Sequence, residues 1–201
     1  MAGLFDIDNR FFRFATKVMN LFLLNILWII FSLPIVTVGA ATSAVYYVSL
    51  KMVRNEEGYI INSFWLAFRQ NLKQSIIIEF VFLIVGIILI WDIKYFLQMD
   101  NVWGYIFAAI FSIALTIYVF MLIFTFPILA KYSNTIYGTL KNAVIMSLTH
   151  LPASIAIAVL LMVMLYGFYV SVPLMIIFST IGVAIYAYFG SILFRNIFEK
   201  Y

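Results

Sequence analysis

In this chain of 201 residues 66% of the side chains are hydrophobic, 19% aromatic and only 10% charged, whereas soluble domains average about half apolar and about a quarter charged. That excludes an ordinary soluble protein. The net charge of +4 comes from twelve basic residues scattered over short segments with no contiguous patch for nucleic acid, and the absence of cysteine with a single histidine excludes disulfides, thiolate chemistry and a multi-histidine metal site within one chain.

The charges themselves mark the architecture. Residues 142–194 carry none, a run too long for one crossing and sufficient for two, since a bilayer-crossing helix needs about 20 apolar residues. The expectation is an all-α integral membrane protein: a bundle of five to six hydrophobic helical segments with interfacial amphipathic helices, forming one membrane domain whose first partner is the lipid bilayer. No cofactor is implied, and the residues fix no oligomeric state.

In chain order, residues 1–17 read as an interfacial N-terminal helix, with Phe11, Phe14, Ala15 and Val18 on one face and Arg10, Arg13 and Lys17 on another. The basic start and the small Val38-Gly39-Ala40 that follows share the outline of a cleaved signal segment, but in a multi-span protein small residues serve as helix-packing positions and the first segment is retained.

Residues 18–53 form an interrupted helix or a hairpin. Proline removes a backbone donor and pushes the preceding residue out of the helical region, so Pro34 ends or kinks a helix near Ser32-Leu33. The chain either crosses once with a kink, or enters on Val18 to Phe31, turns, and returns on Gly39 to Val53. Short cytoplasmic loops accumulate Lys and Arg. A fold-back places eleven of the twelve basic residues on one side, leaving Lys94 on the other, whereas a single crossing moves Arg10, Arg13 and Lys17 to join Lys94. The charge bias favours the fold-back, with arms of only about 15 residues, short enough to dip into the bilayer rather than span it.

A second interfacial helix is expected at 59–74, with Ile61, Phe64, Trp65, Phe68 and Leu72 opposite Arg69 and Lys73. A transmembrane hairpin follows at 75–91 and 103–130, its turn bracketed by Trp91 and Trp103 at the interface. An amphipathic helix at 133–147, with a stripe of Ile136, Leu140, Ala143 and Val144, leads into a last hairpin at 151–167 and 173–194 around the turn Tyr169-Val170-Ser171-Val172. The layout is three times an interfacial helix followed by a hairpin, with the C-terminus, and on the fold-back path the N-terminus, cytoplasmic.

Ionisable groups inside a membrane usually mark function, and here they are few. Glu79 lies roughly 9 Å beyond Lys73 along a helix, where a solvated carboxylate is the simpler reading and a proton relay the sharper one. His150 before Leu151-Pro152 reads as a helix-start residue. The polar residues Asn20, Asn25, Thr37, Thr42 and Ser43, with the interruptions Pro34 and Gly39, form the candidate site. They either line a polar cavity of broken helices, as in transporters, or serve as hydrogen-bonding glue between close helices. The phosphate-loop, zinc-protease and nucleophile-elbow motifs are missing, and the adjacent Glu56 and Glu57 diverge by about 100 degrees on a helix and make no acid/base dyad. An enzyme is not expected.

Four strings carry a resemblance: Leu24-Asn25-Ile26-Leu27-Trp28; Ser32-Leu33-Pro34-Ile35-Val36-Thr37-Val38-Gly39-Ala40; Phe64 to Ser75, reading FWLAFRQNLKQS; and Phe126-Pro127-Ile128-Leu129-Ala130-Lys131-Tyr132. In that order, and over nearly the whole chain, the sequence resembles the YesL family of small bacterial membrane proteins, a domain of unknown function. The resemblance implies the bacterial cytoplasmic membrane and, because members are commonly encoded beside carbohydrate ABC transporters and glycoside hydrolases, an accessory role with carbohydrate ABC transporter subunits. The alternative function is a small transporter or channel using the interrupted 18–53 hairpin as its pathway. The family supplies no catalytic residues to carry over.

Overall fold

The computed structural model describes residues 10–56 and 58–200, with the side chains of Arg10 and Phe11 excepted. Residues 1–9 of the N-terminal interfacial segment, the outer side chains of its two faces, and Glu57 of the acidic pair lie outside the described residues. All regular structure among the described residues is helical: α1 (Arg10–Ser32), α2 (Val38–Val53), α3 (Ile60–Leu97), α4 (Val102–Lys131), α5 (Ile136–Thr149), α6 (Leu151–Val170), α7 (Val172–Ile177) and α8 (Val183–Phe198). Six helical stretches are long and apolar enough to cross a membrane, the last being α7 and α8 taken together over Val172–Phe198. The protein is an all-α membrane bundle.

Several boundaries expected from the sequence are absent. The described part of the 1–17 segment, from Arg10, and the first apolar arm are one helix, because nothing between Arg10 and Ser32 breaks the backbone. The 59–74 and 75–91 segments likewise fuse into the 38 residues of α3, about 57 Å at 1.5 Å per residue. The expected loop at 92–102 shrinks to Gln98–Asn101, since Phe96 stacks on Phe107 and Phe111 and holds α3 helical to Leu97. Asn101 then caps α4, its Oδ1 accepting the Gly104 amide at 2.8 Å. The last turn narrows to Ser171, with Pro173 in the first turn of α7, where a missing N–H costs nothing.

Pro34 does end α1, at Ser32. Its backbone is extended (φ −74°, ψ 110°), one turn of 3-10 helix follows at Ile35–Thr37, and α2 begins at Val38. The chain reverses there. Lys17 Nζ donates to Asn55 Oδ1 at 3.2 Å, so the first turns of α1 and the residue beyond α2 share one end of the bundle. At the same end Arg195 donates to the Val53 carbonyl at 3.4 Å and Tyr132 Oη to the Phe198 carbonyl at 3.3 Å. Burial pushes the Tyr132 phenol up, with the Arg54 charge opposing.

The core is built around α2, which packs against α1, α3, α4 and α8. Its Gly39-Ala40-Ala41-Thr42-Ser43-Ala44 run is what permits this, because small residues let helix backbones approach closely in lipid. Beyond it Tyr46 and Phe124 each meet the Phe194 ring edge-on, at 5.8 and 4.9 Å between centroids, a favoured aromatic geometry. The stripe expected on residues 61–72 divides: Phe64 and Phe68 are buried against Phe31, while Ile61 and Trp65 face outward beside Arg69 rather than opposite it. One turn of helix separates 65 from 69, which puts the two on one face.

Candidate functional site

The eight candidate residues do not converge. Four of them, Pro34, Thr37, Gly39 and Glu79, meet at the α1–α2 turn; Asn25, Thr42 and Ser43 lie in three separate helix contacts, and Asn20 lies apart.

At the turn, several of the freed backbone groups are answered locally. Thr37 Oγ1 donates towards the Phe31 and Pro34 carbonyls, at 2.6 and 2.7 Å, and the Thr37 amide also reaches the Pro34 carbonyl at 2.9 Å. The Gly39 amide, one of the orphan donors at the start of α2, donates to Glu79 Oε2 at 3.0 Å. A carboxylate at a helix N-terminus is favoured by the helix dipole as well as by that bond. Gly39 has a packing reason too: a Cβ there would stand 2.7 Å from the Phe126 ring. The turn is otherwise apolar, with Leu33 75% and Ile35 76% exposed. Glu79 lies halfway along α3, so the tip of the α1–α2 hairpin stops about 27 Å short of the far end of that helix. A turn whose own residues 32–38 carry no charge and which is bonded in part to itself suits contact with hydrocarbon at such a depth, where backbone polar groups must find partners within the protein.

Three of the remaining candidates tie helices together. Asn25 is fully buried; its Nδ2 donates to the Ser179 carbonyl at 2.9 Å and its Oδ1 accepts the Val183 and Ala184 amides at 3.0 and 3.2 Å. Ser179 lies within a π-helical turn at Phe178–Gly182, and Val183 and Ala184 follow it directly. Thr42 Oγ1 accepts from Trp28 Nε1 at 3.1 Å across α1 and α2, and Ser43 Oγ accepts from Asn71 Nδ2 at 3.1 Å across α2 and α3. Asn20 is apart from all of these, in an open cleft of about 380 Å³ with Leu23 and residues 58–62. His150 sits between α5 and α6, and its carbonyl accepts the Ser154 amide and hydroxyl.

Sequence reasoning missed three features. The π turn leaves no pattern of its own, although Asn25 in an apolar run is a sign that a distant backbone group needs a partner. Gln74 donates to the Asn134 carbonyl at 2.9 Å and joins α3 to the start of α5. Tyr118 donates to the Phe82 carbonyl at 2.8 Å, over Gly86, where a Cβ would fall 2.7 Å from the phenol oxygen. Glycines inside apolar spans were the available signal for such close approaches.

A family model described as "Protein of unknown function, DUF624" matches residues 21–93. This segment includes every candidate residue except Asn20. "Uncharacterized protein YesL" of Bacillus subtilis (strain 168) is 26% identical over 145 residues, covering 70% of this chain and 68% of that protein. The chain is thus similar to YesL and, over residues 21–93, to the DUF624 family. No solved structure matches it. The matched segment comprises the α1–α2 hairpin from Leu21 onward together with the part of α3 that holds its turn.

Proposed function

We propose that this protein is a non-enzymatic accessory subunit of a carbohydrate ABC transporter in the bacterial cytoplasmic membrane, with the Lys17, Asn55 and Arg195 end facing the cytoplasm. One observation carries the reading: Asn25, Thr42 and Ser43, polar side chains a permeant solute would need, are bonded to neighbouring helices, Asn25 to Ser179, Val183 and Ala184. The link to sugars comes from the genomic company of the family, and the orientation from the basic residues gathered at that end. A docking face is supplied by α5, where Tyr137, Lys141, Ile145 and Leu148 form one exposed stripe at helical spacing.

Affinity purification from native membranes tests this. Transporter subunits should be recovered with the wild-type chain and lost with Tyr137→Ala and Ile145→Ser. Repeated recovery without any transporter subunit overturns it.

A second reading, a small transporter working through the hairpin, is favoured by the Glu79 carboxylate at the broken helix. Purified protein in liposomes should then move a solute, and Glu79→Gln should change the flux while the fold persists. No flux across a broad sugar and ion panel removes that reading.

A further inference from the structure

The outer face of α3 has a chemical order along its length. Near its start a cleft of about 610 Å³ is lined by Asn62, Trp65, Leu66, Arg69 and Gln70. Next, Arg69 and Lys73 form an exposed basic band one turn apart. Beyond them Ile77, Phe80 and Ile84, each about half exposed, continue the same stripe as bare hydrocarbon. Amide donors, cations and an apolar track therefore succeed one another over roughly 33 Å, at about 1.5 Å per residue.

Among the described residues, the cations on this face have no carboxylate paired with them. Residues 58–78 contain no Asp or Glu, Glu79 turns inward to the Gly39 amide, and the ion pair found among the described residues joins Arg195 to Glu199. Arg69 instead lies over the Trp65 ring, 5.8 Å from its centroid, and Trp65 is stacked on Phe68 at 5.9 Å and 13°. Packing against Phe68 thus holds the indole, and the indole presents the guanidinium to the outside. Guanidinium suits the bidentate recognition of phosphate, and an indole ring favours the depth of lipid headgroups.

We infer that this face is a binding site for one anionic phospholipid. The lipid phosphate lies against Arg69 and Lys73, a hydroxylated headgroup fills the cleft where Asn62 and Gln70 donate to it beside Trp65, and the acyl chains run along Ile77, Phe80 and Ile84. The charge complementarity and the direction of the apolar track select a lipid over a soluble phosphate compound, which would have no use for the track. The inference needs only the membrane location and is independent of any transporter partner.

Native mass spectrometry of the full chain, released from vesicles containing equal phosphatidylglycerol and phosphatidylcholine, tests the site. Wild type should retain phosphatidylglycerol preferentially. Each Lys or Arg near a membrane surface strengthens anionic lipid binding several-fold, so Arg69→Gln with Lys73→Gln should lower retention on the order of tenfold. Lys94→Gln, on the same helix at its other end, should leave it unchanged. Should the double variant fold poorly, wild type alone decides by its lipid preference and by competition with excess glycerol 3-phosphate. Equal retention of both lipids, retention unaffected by the double variant, or displacement of the lipid by glycerol 3-phosphate each overturns the proposal.

Discussion

Asn25 Oδ1 accepts the Val183 amide at 3.0 Å across 158 positions of chain, joining the middle of α1 to the C-terminal edge of a π turn. A π turn inserts a residue into the helix and moves its amide bonds from acceptors four positions back to acceptors five positions back, so the regular pairing is interrupted where the α-helix resumes. In lipid no water can pair with the groups at such a junction, and the single carboxamide of Asn25 accepts from both Val183 and Ala184 while its own N–H satisfies the Ser179 carbonyl. The side chain is a structural clamp between the first helix and the last.

Asn25→Leu keeps the volume and removes all three bonds. Leaving buried donors unsatisfied costs about 1–3 kcal/mol, although in membranes single hydrogen bonds average nearer ~0.6 kcal/mol. The variant should unfold at a lower temperature in detergent, with protease sensitivity appearing first at the α7–α8 junction. An unchanged unfolding midpoint would count against the clamp.

How far this arrangement is readable in the sequence depends on the scale of the physics. Spacing of charge and apolar length placed the spans, and Pro34 placed the break after Ser32, because both act within a few residues. The polar residues were selected by their cost in hydrocarbon, yet their partners were not, since Asn25 meets Ser179 and Asn71 meets Ser43 only after the helices pack. The segments 59–74 and 75–91 run together in the 38-residue α3 for a related reason: Arg69 and Lys73 look like the edge of a span, but a charged pair does not stop a helix, and the backbone continues through it.

The Glu79 carboxylate and the Gly39 amide give a second prediction, separating charge from hydrogen bonding. Glu79→Gln retains an oxygen acceptor for the amide at the start of α2 and should fold nearly as well as wild type. Glu79→Ala leaves that amide without a side-chain partner in an apolar setting and should be destabilised by about 1–3 kcal/mol. Denaturation in mixed micelles measures both. Equal losses would mean that the charge, rather than the bond, holds the turn.

Gly39 predicts a steric rescue. A methyl group at this position would lie 2.7 Å from the Phe126 ring and 3.2 Å from Glu79 Oε2, so Gly39→Ala must displace one of them. Overpacking of this kind costs typically about 1–3 kcal/mol. Replacing the ring as well, by Phe126→Leu, makes room, and the double variant should be more stable than the sum of the two single losses allows. Strict additivity in the unfolding midpoints would show that the close approach is not what requires glycine.

The path of residues 18–53 gives the last prediction. Lys17 Nζ and Asn55 Oδ1 are 3.2 Å apart, with the Ser32–Thr37 turn at the other end of both helices. A single crossing would instead separate positions 17 and 55 by the membrane, about 30 Å of hydrocarbon. The chain contains no cysteine, so Lys17→Cys with Asn55→Cys introduces the two thiols into a silent background. The exchange removes one surface hydrogen bond, of a kind with little effect on stability. A short bis-maleimide should link the pair within one chain, and an impermeant maleimide should modify both positions from the same side of sealed vesicles. Because Arg195 reaches the Val53 carbonyl at that end, Arg195→Cys should label from that side as well. Labelling of positions 17 and 55 from opposite sides would require the two helices to pass through the bilayer as one, which the bond between Lys17 and Asn55 does not permit.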